Sequence, residues 1–203
     1  MARSVIVTGG FGVLGQAVSE AFADQGDKVA RIDFAPAAKA PIAGGLDIGG
    51  VDLTDAAATA KAVEQVAAQQ GGIDVLVNVA GGFTWETLAD GSIESWTRMQ
   101  AMNLISNVTI TKLALPHLAK SGAGRIVNIG AGAAIKAAMG MGAYAASKSG
   151  VHRLTEALAE EVAGQGITVN AILPSIIDTP TNRADMPDAD VSQWVQPQAI
   201  ADV

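Results

Sequence analysis

The chain has no cysteine among its 203 residues, which excludes disulfides, thiol catalysis and thiolate metal sites. Its two histidines, His117 and His152, are too few and too far apart for a zinc site of the usual kind, so no metal is expected. Charge is scarce: 16% of residues are charged and the net charge is −7. That balance attracts neither nucleic acid nor an anionic membrane surface. No apolar run approaches the ~20 residues of a spanning helix, so no membrane partner is expected. Met1-Ala2-Arg3-Ser4 leads straight into a strand, which leaves no room for a signal peptide and makes the cytoplasm the expected location. What is plentiful is apolar, at 49%, enough for one core in a single domain over 1–203.

Val5-Ile6-Val7 is a short β-branched run of the buried parallel kind. Thr8-Gly9-Gly10-Phe11-Gly12-Val13-Leu14-Gly15 follows, and then apolar residues at helical spacing, Val18, Ala21 and Phe22. Strand, glycine turn and helix start are the setting in which Gly10, Gly12 and Gly15 can seat a pyrophosphate on a helix N-terminus. Lys28 to Asp33 reads as a second strand ending in a carboxylate. An acid there accepts both adenosine ribose hydroxyls and repels a 2′-phosphate, so NAD is favoured and NADP stays possible. A solvated strand-end charge is the plain alternative for Asp33, and Arg31 would tolerate a phosphate if it reached the ribose. Pro36 to Gly50 reads as surface loop and Val51-Asp52-Leu53 as a strand end. Thr54 and Asp55 open a helix to about Gln70, and Ile73 to Asn78 is a strand ending in Val79-Ala80-Gly81-Gly82. Ser92 caps a long helix to about Leu118, which Pro116 kinks or ends. Strands 125–129 and 168–173 flank a helix over 143–163. The alternation predicts an α/β, doubly wound parallel sheet with helices on both faces.

The most informative stretch is Gly130 to Lys148, GAGAAIKAAMGMGAYAASK. Tyr144 and Lys148 stand four apart, on one helix face. A phenol works as acid or base near neutrality only if its phenolate is stabilised, which an ammonium one turn away can do.

With these motifs in chain order, the sequence resembles the short-chain dehydrogenase/reductase family along nearly its whole length. The resemblance implies a Rossmann fold, an NAD(P)-dependent oxidoreductase and a small-molecule substrate. It implies Tyr144 as general acid/base, Lys148 lowering its pKa and binding the nicotinamide ribose, and Asn103 holding a water in a proton relay. Cofactor contacts fall on Thr8 through Gly15 (Thr8, Gly9, Gly10, Phe11, Gly12, Val13, Leu14, Gly15), on Asp33, and on Asp52 with the Leu53 backbone beside the adenine. Others fall on Asn78, Ala80 and Gly81, on Tyr144 and Lys148, and on Pro174, Ile177 and Thr179. A homodimer or homotetramer built on helices 99–118 and 143–163 is also implied. Relatives usually continue past Ile200 through a helix and a last edge strand, which this chain is expected to lack.

Three departures stand out. Gly12 takes the place of a glycine usually at Val13, and Ser175 stands where a glycine usually follows Pro174. The family's catalytic serine belongs 13 residues before the tyrosine, and that position is Ala131. Ser147 and Ser149 lie beyond Tyr144 on other helix faces and are not expected to replace it. Enzymes resembling dihydropteridine reductase lack that serine in a similar way, and the text at Ile32-Asp33, 79–83 and 178–194 is similar to theirs, whereas Asn78 and Asn103 follow the main branch. A quinonoid, imine or pterin-like acceptor is therefore expected to suit the site better than a simple ketone. The competing reading is a non-catalytic NAD-binding redox sensor or scaffold. Trp85, Met139 and Met141 follow strand ends and form either an apolar substrate wall, with Ala131 and Tyr144, or ordinary packing. Trp194 belongs to a mobile lid or a stationary cover, and the two histidines to packing or surface.

Overall fold

The computed structural model describes residues 2–203; Met1, named above, lies outside them. Six strands form one all-parallel sheet in the order β3-β2-β1-β4-β5-β6. They are β1 Ser4–Thr8, β2 Lys28–Ile32, β3 Leu46–Ile48, β4 Val75–Asn78, β5 Arg125–Ile129 and β6 Thr168–Ile172. β1 and β4 are buried at every position, because both faces of a central parallel strand are covered, and their uninterrupted apolar text follows from that. Along β1 the side chains alternate. Ile6 packs with Ala62, Val66, Ile110 and Leu158, under the helices α2 Ala56–Gln70, α4 Ser106–Ser121 and α5 Gly142–Glu161. Val5 and Val7 pack on the opposite face with Leu14, Val18 and Ile200, from α1 Val13–Asp24 and a short helix, Pro197–Ala201, near the chain's end. The strand order reverses between β1 and β4, which opens a crevice beyond their C-terminal ends.

Three local expectations change. The third strand is Leu46–Ile48 rather than 51–53, and it falls inside the stretch read as loop. It is too short to show periodicity. Its place is set by register with β2 and by Gly49, where a Cβ would press on the Pro36 carbonyl. Val51 and Leu53 are still buried, without forming a ladder. The long helix after Ser92 is not uniform: α3 Ile93–Met99 passes into a π-helical turn over Gln100–Ile105 before α4. That wider turn turns Asn103 inward to 1% exposure. Pro116 does not end α4, which runs to Ser121 and stops at Gly122 with φ 71°. Near the chain's end, α6 Pro180–Asp185 precedes the short helix named above, which is α7. Trp194 is buried at 8% exposure, beside a bridge between Ile177 and Val195.

Candidate functional site

The crevice beyond β1 and β4 holds a cleft of about 740 Å³. One wall is the glycine turn, contributing Gly9, Phe11 and Gly12 through Gly15. Gly9 has φ 61°, a conformation that favours glycine. A Cβ on Gly15 would run into the Gly9 carbonyl oxygen, so only glycine lets α1 start this close to β1. Gly12 caps α1 with no side-chain hydrogen bond, so the first-turn N–H groups of Val13 and Leu14 are left for a ligand. Uncapped N–H groups at the positive end of a helix dipole suit a pyrophosphate, and the residues present fit a dinucleotide.

Opposite the turn, Asp33 and Asp52 line the same cleft with Leu53, Ala80 and Gly81. The Asp33 carboxylate accepts the N–H groups of Phe11 and Ala35, each at 2.9 Å. Asp52 takes the Thr54 hydroxyl at 2.7 Å and the Thr54 N–H at 2.8 Å, which hold its carboxyl below the usual range. Arg31 does not reach for the ribose. Its guanidinium, 2% exposed, is clamped by both Asp47 oxygens at 2.7 Å, and it also donates to the Ala40 carbonyl at 2.8 Å.

Thr8 and Asn78 stand behind the cleft. The Thr8 hydroxyl accepts the N–H groups of Val79 and Ala80 at 3.1 Å, tying the two strand ends together. The Asn78 side chain turns into a buried polar cluster, donating to Asn128 at 2.9 Å, Thr111 at 3.1 Å and Asn107 at 3.2 Å. Pro174 accepts the Gly132 N–H at 3.0 Å, and Thr179 caps α6 through the Asn182 N–H at 3.1 Å.

Tyr144 and Lys148 share the inner face of α5, next to the Gly81 end of the cleft. A Cβ on Gly81 would lie 2.6 Å from Asn103 Oδ1 and 3.4 Å from Lys148 Nζ. Lys148 is 6% exposed and donates to the Ile129 carbonyl at 2.7 Å. Burial pulls its pKa down to about 8. Burial raises that of Tyr144, the opposite of what an adjacent ammonium does alone. The phenol is therefore protonated at neutral pH, as a proton donor requires. Asn103 accepts the Gly82 N–H at 2.8 Å and donates to the Gly82 carbonyl at 3.1 Å and to Ser147 Oγ at 2.9 Å. Its carboxamide ties the 81–82 loop to α5.

Ala131 is 4% exposed. The two serines nearby are committed elsewhere: Ser147 donates to the Tyr144 carbonyl at 2.7 Å and Ser149 to the Ala134 carbonyl at 3.0 Å. Facing this region, Glu86 N–H donates to the Gly140 carbonyl at 2.9 Å and Trp85 lies over Gly140, while Met139 is exposed and Met141 half-buried at the start of α5. Phe83 meets the Tyr144 ring edge to face, centroids 5.0 Å apart. Phe83, and Arg98 and Met102 at the cleft, are among the residues that sequence reasoning missed. Only the aromatic character of Phe83, directly after the 79–82 loop, signalled one of them. His117 lies away from this cleft, its ring nitrogen 3.1 Å from Glu64.

A family model for short chain dehydrogenase matches residues 3–190. The D-beta-hydroxybutyrate dehydrogenase of Rhizobium meliloti is 34% identical over 197 residues, covering 93% of this chain and 76% of the relative. The meso-2,3-butanediol dehydrogenase of Serratia marcescens is 33% identical over 182 residues, covering 87% and 72%. Among solved structures, the ligand-free aldohexose dehydrogenase of Thermoplasma acidophilum superposes with a TM-score of 0.88 at 27% identity, over 99% of this chain and 84% of that one.

Proposed function

The chain belongs to the short chain dehydrogenase family and is thereby an oxidoreductase of the NAD(P)(H)-dependent kind; from that premise we propose that it reduces planar, conjugated C=O or C=N acceptors, quinonoid or pterin-like, with NADH. The observation that carries the reading is Ala131, a methyl at the position of the usual second hydroxyl, with both neighbouring serines bonded elsewhere. Reduction of a simple ketone gathers negative charge on one oxygen, and loss of one of two donors costs on the order of 10²–10³ in rate. In a quinonoid acceptor that charge spreads over several atoms, and a single donor suffices. The aromatic edge of Phe83 against Tyr144 supports a flat ring as guest.

When bound, the nicotinamide coenzyme supplies the hydride. Tyr144, kept protonated by burial, donates the proton. Lys148 and Gly81 would hold the nicotinamide ribose, and Asn103 keeps the 81–82 loop in place. Asp33 would receive the adenosine ribose, and the clamp that holds Arg31 on Asp47 keeps that cation from a 2′-phosphate, which favours NADH.

The test is NADH oxidation with quinonoid dihydropterin, a simple quinone and simple ketones. We expect kcat/KM to favour the conjugated acceptors by about 10² or more; a preference for simple ketones sinks the reading. Tyr144→Phe should lower turnover by about 10²–10⁴, and turnover that survives it means the proton comes from elsewhere. Ala131→Ser should raise ketone reduction.

A further inference from the structure

We propose that His152 is a positioning residue, whose neutral imidazole accepts the Ala131 N–H and so sets where the Ala131 methyl stands in the reacting site. The proposal rests on the reading that Tyr144 performs the proton transfer.

Tyr144, Lys148 and His152 follow one another at single-turn intervals along α5. The second donates to the Ile129 carbonyl, and the third reaches the end of β5. Ala131 N–H donates to His152 Nε2 at 3.3 Å. Gly130 makes the approach feasible: a Cβ there would lie 2.8 Å from His152 Cδ2 and nearer still to Nε2. Gly130 and Ala131 are thus two halves of one arrangement. The first, by lacking a side chain, admits the ring; the second offers the ring its N–H.

An imidazole accepts at Nε2 only when it is neutral and its proton is on Nδ1. Burial favours that form, lowering the pKa below its ordinary value; Arg153 and Lys148 lower it further and Glu156 opposes them. These three charges lie on its own helix. The strand end packed against it faces it with main chain, at Gly130 and Ala131 after β5. Protonation turns Nε2 into a donor aimed at another donor. The bond is lost, and on that side the loop after β5 keeps its Gly130-to-Ile172 and Gly132-to-Pro174 ties.

The experiment pairs the pH dependence of the Ala131 amide resonance with kcat profiles, using NADH and a simple quinone, for the wild type, His152→Gln and His152→Leu. A glutamine oxygen accepts at any pH; leucine never accepts. In the wild type the Ala131 amide should shift with the imidazole titration, below about pH 6.5, and kcat should fall on the same midpoint. His152→Gln should abolish both dependences and keep kcat at pH 7 within about threefold, whereas His152→Leu should lower kcat about tenfold with little change in KM for NADH. An amide that ignores the imidazole, or an acid limb that persists in His152→Gln, overturns the proposal. Should no acceptor be turned over, the functional reading fails while the amide titration still decides the contact.

Discussion

Lys148 is an ammonium group, 6% exposed, with a single acceptor in the Ile129 carbonyl at 2.7 Å. Stability alone would not place it there. Its pKa of about 8 when folded lies below the ordinary 10.5. Below pH 8 both the folded and unfolded chains carry the proton and the whole burial cost is present, on the order of 3 kcal/mol. Between pH 8 and 10.5 the unfolded chain binds more protons, so this residue makes stability rise with pH. Lys148→Met keeps the volume and leaves the Ile129 carbonyl unpaired, which returns roughly 1–2 kcal/mol of the gain. The ligand-free variant should therefore be more stable at pH 7 by about 1–2 kcal/mol in urea unfolding. That advantage should shrink towards pH 10.5, and turnover should be lost. A variant less stable than the wild type at pH 7 would show that the ammonium is not the strained group. The position and spacing of Lys148 were legible in the sequence. The acceptor it chose was not, because Ile129 reaches it only once β5 and α5 are packed together.

At the scale of elements, the edge strand β3 was the part the sequence hid. Three residues between paired glycines carry no periodicity, and their strand identity comes from alignment with β2 alone. Arg31 and Asp47 lie opposite each other in that register and close it with a two-pronged ion pair at 2.7 Å. Asp47→Ala would leave the Arg31 guanidinium buried with only the Ala40 carbonyl. We expect a loss of about 3 kcal/mol in denaturant unfolding, and less than ~1 kcal/mol would mean that the edge is held by its backbone ladder. The π turn at Gln100–Ile105 was equally silent. Trp96, Met99 and Asn103 fit an ordinary helical period, and the extra residue in the turn is justified only by the inward station of Asn103 against Gly82 and Ser147. Such turns are frequent at functional sites.

For the whole molecule, the cleft at the sheet's switch point ties stability to ligand. NADH at 100 times its Kd should add about 2.7 kcal/mol, a rise of roughly 5–10 °C in Tm for a chain of this size. NADPH at equal concentration should give a much smaller rise if Asp33 receives the adenosine ribose as proposed, with Arg31 held by Asp47. Equal shifts would remove the case for NADH. By itself the sequence determined the parallel α/β architecture, the glycine turn, the Tyr144/Lys148 pair and the alanine at 131. Each of these is a matter of short-range periodicity or spacing, which a linear chain displays. Only the tertiary structure decided what those residues are free to do. Arg31 is spent on Asp47, Ser147 and Ser149 on main-chain carbonyls, Lys148 on Ile129, and His152 stands against Gly130 and Ala131. Those choices are made between elements up to tens of residues apart, where burial obliges each polar group to take the nearest partner that packing supplies.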